Sequence, residues 1–116
     1  MKYAVCPIAE LPPGSMRRVH LEDRIAVVVV HKQDGELRAL RDVCPHMGAA
    51  LSNGYLQKLI VGDEPQERIM SDELVIRCPW HGHEFDIDDG RCEADPAQRV
   101  RVYPVSVEEG EVVVER

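Results

Sequence analysis

An all-β fold, a small antiparallel sandwich or barrel, is what this sequence predicts. Turn signals recur at short and even intervals, the apolar stretches are strand-length, and helix-period patterns are scarce. Lys2–Ile8 alternates weakly and runs into the turn Leu11-Pro12-Pro13-Gly14. Arg17–Leu21 is a second short strand. Ile25–His31 holds four consecutive valines, the composition of a strand buried on both faces. Asp34-Gly35 is a hairpin signal ahead of Glu36–Arg41. Asp89-Gly90 and Glu109-Gly110 mark two further turns, and Glu111–Glu115 is expected to pair with Val100–Val107. Tyr55–Ile60 is the stretch where a short helical turn is expected.

The chain has 116 residues, which suits one domain spanning 1–116 with a core that needs no disulfide staples. No apolar run approaches the ~20 residues of a membrane span, so no membrane association is expected. The start, Met1-Lys2-Tyr3-Ala4-Val5-Cys6, lacks the long apolar stretch of a secretory signal, so a cytoplasmic protein with reduced thiols is expected. The net charge of −7 argues against a nucleic-acid partner, which needs a basic footprint. The acidity either steers the chain toward basic partner surfaces or simply confers solubility. Residues 53–72, with Gly54, Gly62, Pro65 and a charged patch at 63–68, suggest a surface insertion, either a tolerated loop or a docking element.

The chemistry is concentrated in two segments. Cys44-Pro45-His46-Met47-Gly48-Ala49-Ala50-Leu51 and Cys78-Pro79-Trp80-His81-Gly82-His83-Glu84-Phe85-Asp86 each offer one thiolate and one imidazole on a proline- and glycine-studded loop. Cys6 and Cys92 have no such histidine and are expected to be small structural residues. Two sulfurs and two nitrogens suit either zinc or an iron–sulfur cluster. The single residue between Cys44 and His46 is tight for chelating one tetrahedral ion. It is workable if cysteine and histidine bind different irons, so the spacing favours a cluster while leaving zinc open.

The pair Cys-Pro-His-x-Gly-x-x-Leu and Cys-Pro-Trp-His-Gly-x-x-Phe-Asp strongly resembles the Rieske ferredoxin family, as do the early turn at Leu11–Gly14 and the ending Tyr103-Pro104-Val105 plus hairpin. The resemblance implies a Rieske fold with the two loops at one tip. It implies one 2Fe–2S cluster, with Cys44 and Cys78 on one iron and His46 and His81 on the other. Met47, Gly48, Trp80, Gly82, His83, Phe85 and Pro96 are the implied surroundings. Trp80 is expected to pack over the cluster, and Asp95-Pro96-Ala97 to form a shielding loop. High-potential relatives carry an extra cysteine in each loop, at the positions of Ala49 and Trp80, and hydroxyl donors at those of His83 and Phe85. The resemblance therefore implies a disulfide-free centre near the low end of a range of roughly −150 to +300 mV, with a potential that falls at alkaline pH.

The implied role is electron transfer, not catalysis: a ferredoxin passing single electrons from a reductase to a terminal oxygenase. The alternative is a small redox subunit of a larger reductase, resembling the nitrite reductase small subunit. A zinc-held interaction module is the reading from a different class. His20 and His31, at strand ends, are expected to be solvated.

Overall fold

The computed structural model describes the chain apart from residues 23–24, 46–47, 62–68, 81 and 96, and only the backbone of 59–61 and 69–73. The chain is all-β. Its strands are β1 (Lys2–Pro7), β2 (Met16–Glu22), β3 (Ile25–His31), β4 (Leu37–Arg41), β5 (Tyr55–Val61), β6 (Ile69–Arg77), β7 (Glu84–Asp86), β8 (Val102–Tyr103), β9 (Val105–Glu108) and β10 (Glu111–Glu115). Short 3-10 turns cover Ile8–Glu10 and Leu51–Asn53. No helix among the described residues is long and apolar enough to cross a membrane.

The described strands form three antiparallel sheets, ordered β1-β10-β9, β2-β3-β4-β8 and β5-β6-β7. The valine run explains how they stack. Successive side chains of a strand point to opposite faces. Val27 and Val29 join a core with Cys6, Leu11, Tyr103, Val112 and Val114, on the side of the first sheet. Val28 and Val30 join a second core with Leu40, Leu51, Ile76 and Phe85, on the side of the third sheet. All four valines are fully buried. The middle sheet is thus covered on both faces, which is why β3 has no polar alternation.

Three expectations are corrected. Tyr55–Ile60 is not a helical turn but part of β5, paired with β6 through Tyr55↔Arg77, Leu56↔Ile76 and Gln57↔Val75. Its alternating side chains put Leu56 against the core, a period-two pattern that a six-residue window shows poorly. The 53–72 insertion accordingly contributes most of a β-hairpin, with 62–68 outside the described residues. Val100–Val107 is not one strand. Pro104 has no N–H to donate to a ladder, and the chain changes sheets there: Val102 and Tyr103 pair with β4, while Val105–Glu108 pairs with β10. His31 is half-buried rather than solvated, its Nδ1 2.7 Å from the Leu11 carbonyl oxygen.

Candidate metal centre

Strand register brings the two loops together. Tyr55 pairs with Arg77, and Arg77 pairs with Glu84, so these three residues mark one end of the third sheet. The first loop arrives at that end through Gly54, and the second leaves it at Cys78. Their backbones nearly touch there: a Cβ on Gly54 would collide with the Arg77 carbonyl oxygen. Glycine at 54 permits that approach.

The two loops are built alike. Cys44 N–H donates to the Ala49 carbonyl at 2.7 Å, and Gly48 N–H to the Cys44 carbonyl at 2.8 Å. Cys78 N–H donates to the His83 carbonyl at 2.7 Å, and Gly82 N–H to the Cys78 carbonyl at 3.1 Å. Each loop is closed by a glycine four residues after the cysteine, with φ of +77° at Gly48 and +70° at Gly82. Only glycine adopts that conformation without a steric penalty. Both cysteines are buried, at 1% and 2% exposure, and belong to one apolar cluster with Ile76, Phe85 and Cys92. The cysteines of the chain are free of disulfides.

His46, Met47, His81 and Pro96 lie outside the described residues. Among the described residues no group of three or more metal-binding side chains converges. What the structure does place is a pair of buried thiols at the heads of matching turns. The donor chemistry suits a metal that takes two thiolates from one side, with the histidine of each loop two or three residues further on.

The surroundings sort into three groups. Phe85 is fully buried and offers no donor. His83 is half-buried, with Nδ1 3.9 Å from Cys92 Sγ. Trp80 does not pack down within the described chain: it is 60% exposed, and Val43, just before the first cysteine, is 37% exposed. The candidate shielding loop is anchored beside β7. Phe85 bridges to Cys92, Cys92 N–H donates to the Gln98 carbonyl at 3.0 Å, and Gln98 N–H to the Asp95 carbonyl at 2.9 Å. Cys92 is therefore a packed core residue that helps position that loop, and Cys6 is likewise buried, which pushes its thiol pKa up.

One polar device escapes a sequence-only reading. Asp42, two residues before Cys44, is buried at 3% exposure. Its carboxylate accepts from Ser52 N–H at 2.7 Å, Ser52 Oγ–H at 2.6 Å and Arg18 Nη1 at 3.0 Å. Its own N–H donates to the Ala26 carbonyl at 2.9 Å. This clasp joins both ends of the first loop to β2 and β3. An acid two residues ahead of the cysteine was its sole sequence signal.

Comparison with known proteins agrees with this architecture. Residues 1–104 match the family model of the Rieske [2Fe-2S] domain. The ferredoxin subunit of 3-phenylpropionate/cinnamic acid dioxygenase from Escherichia coli K12 is 30% identical over 111 residues, covering 95% of this chain and 89% of that protein. The structure of an NADH-dependent nitrite reductase small subunit from Mycobacterium tuberculosis superposes with a TM-score of 0.80 at 30% identity, covering 100% of this chain and 95% of the other. The ferredoxin in a complex of reduced oxygenase and oxidised ferredoxin of carbazole 1,9a-dioxygenase gives a TM-score of 0.72 at 29% identity, covering 97% and 91%.

Proposed function

The chain belongs to the Rieske [2Fe-2S] domain family, and on that premise we propose that it is a one-electron carrier between a reductase and a terminal oxygenase. Cys44 and Cys78 hold one iron of a 2Fe–2S cluster, and His46 and His81 hold the other. The observation that supports this most is the matched pair of loops, each opening on a buried cysteine and closed by a positive-φ glycine at the same offset. Bound there, the cluster would supply a single-electron couple, with neutral imidazoles as two of its four ligands.

The protein's own residues do three things. The loop hydrogen bonds hold each cysteine in place, so little rearrangement accompanies a change of charge. The apolar cluster around Cys44 and Cys78 keeps water from the thiolate side. Trp80 and Val43 present apolar surface next to the loops, where a partner would make contact. Catalysis of substrate oxidation is left to the partner, and cysteines held outside any disulfide suit a reducing compartment such as the cytoplasm.

Iron, sulfide and zinc analysis with EPR of the reduced protein tests the reading. A 2Fe–2S signal with an average g below that of an all-cysteine cluster is expected; zinc without iron would refute it. A second role, as the small subunit of a larger nitrite-type reductase, is favoured by the TM-score of 0.80 over the whole chain. Rapid oxidation of the reduced protein by a ring-hydroxylating oxygenase, with none by a nitrite reductase large subunit, separates the two.

A further inference from the structure

Arg77 immediately precedes Cys78, and its side chain folds against the loop it introduces. A Cβ on Gly82 would stand 2.9 Å from Arg77 Nη2 and 3.0 Å from Nε. The guanidinium therefore fills the space beside the glycine that closes the second loop. The first loop is an internal control. It makes the same turn with the same pair of hydrogen bonds, yet no described residue lies within 4 Å of a Cβ on Gly48, and Val43 stands where Arg77 does in the second. The turn does not require a cation under its glycine. Nor is Arg77 explained by a structural ion pair. Its register neighbour Glu84 is engaged by Gln57 Nε2 at 3.0 Å, and Arg77 has no ion-pair partner among the described residues.

We propose that Arg77 is an electrostatic tuning residue, whose fixed positive charge against the Cys78–His83 loop raises the reduction potential of the cluster that this loop helps to hold. The inference rests on the proposed cluster. Reduction by the reductase partner adds one electron, and so one negative charge, to the cluster, with no bond made or broken by Arg77. A guanidinium stays protonated throughout. Its charge sits against the loop that carries Cys78, so it would stabilise the reduced state of a cluster held there over the oxidised one. Arg77 is exposed, so the attraction is screened by solvent and weakens with salt. In a chain of net charge −7, whose overall field opposes reduction, a single adjacent cation has a distinct sign.

The test compares the holoprotein with Arg77→Gln, Arg77→Lys and Arg77→Glu by potentiometric titration followed by EPR and visible absorption. Midpoints are expected in the order wild type, then Lys, then Gln, then Glu, from highest to lowest, with unchanged cluster spectra. The gap between wild type and Arg77→Gln should narrow as ionic strength rises. Lys2→Gln, on β1 in the sheet that carries neither loop, should shift the midpoint less than Arg77→Gln. An unchanged midpoint in Arg77→Gln with an intact cluster overturns the proposal. So does an equal fall in the Lys and Gln variants, or loss of the cluster in both, since each assigns Arg77 to shape rather than charge. Absence of a 2Fe–2S signal from the wild type is a different result and refutes the proposed function itself.

Discussion

Replacing Asp42 with alanine should loosen the first ligand loop from the body of the protein. The carboxylate accepts three hydrogen bonds, and the substitution orphans two donors of Ser52 in a half-buried setting. Each orphaned donor costs about 1–3 kcal/mol. The third partner, Arg18, is 43% exposed at its side chain, so losing that ion pair adds only about 0–1 kcal/mol after solvent screening. A total of about 2–7 kcal/mol follows, which is large beside a typical domain stability of about 5–15 kcal/mol. At roughly 4 °C per kcal/mol for a chain of this size, the melting temperature should drop by about 8–28 °C. Asp42→Asn keeps one acceptor oxygen and should cost about 1–2 kcal/mol. Urea denaturation of the holoprotein followed by circular dichroism gives the free energies, and bleaching of cluster absorbance gives the rate of cluster loss. Because Asp42 anchors the loop two residues before Cys44, cluster loss should accelerate in the same order. An alanine variant within about 0.5 kcal/mol of wild type would show that the clasp contributes nothing beyond what water supplies.

Other perturbations reach different parts of the argument. Gly82→Ala forces a side chain into a φ of +70°, at about 1–2 kcal/mol, and displaces the Arg77 guanidinium; its unfolding midpoint should fall and its potential should move in the direction of Arg77→Gln. Equal stability of Gly82→Ala and wild type would contradict the turn geometry. Cys78→Ser should abolish the EPR signal, whereas Cys92→Ala should keep it while destabilising the core; a signal lost in both would bring Cys92 into the ligand set. Glu22 accepts from Tyr3 Oη–H at 2.8 Å and pairs with Arg116 at 2.9 Å, and the Tyr3 hydrogen bond, then Arg116, holds its pKa below the ordinary glutamate value. A lowered folded-state value means that its stabilisation is complete above pH ~4.3, the unfolded value, and is lost as pH falls through the folded one. The stability difference between wild type and Glu22→Gln should therefore be present at pH 7 and shrink on acidification; a difference that grows below pH 4 would reverse the assignment.

The valine run, the turn dipeptides and the two Cys/His loops are local properties, and each was legible in the chain itself. Side-chain alternation and backbone sterics act over a few residues, so Ile25–His31 reads as a strand buried on both faces without knowing what covers it. The proline at 104 was equally visible, but its consequence was not: whether Val102 and Val105 share a strand depends on which sheet edges await them. The same holds for Tyr55–Val61, where pairing with β6 overrides a weak local preference. A deletion of residues 54–72, attractive if the segment were a free loop, would remove β5 and part of β6 and so tests folding rather than docking.

For the candidate centre, the motif named the thiols and imidazoles because ligand chemistry restricts residue type and spacing. It did not name Asp42, whose partners Arg18 and Ser52 lie 24 and 10 residues away, nor the position of Arg77 against Gly82. What the sequence determined by itself was strands β1 to β4 and β10, the loop chemistry and the resemblance to the family. The tertiary structure decided which end of the third sheet gathers the two loops, how the first is clasped to β2, and that the Arg77 guanidinium lies beside the glycine of the second. The reason is physical: burial, shared hydrogen bonds and charge proximity are relations between distant segments, and they take a value only once register and sheet stacking have set the distances.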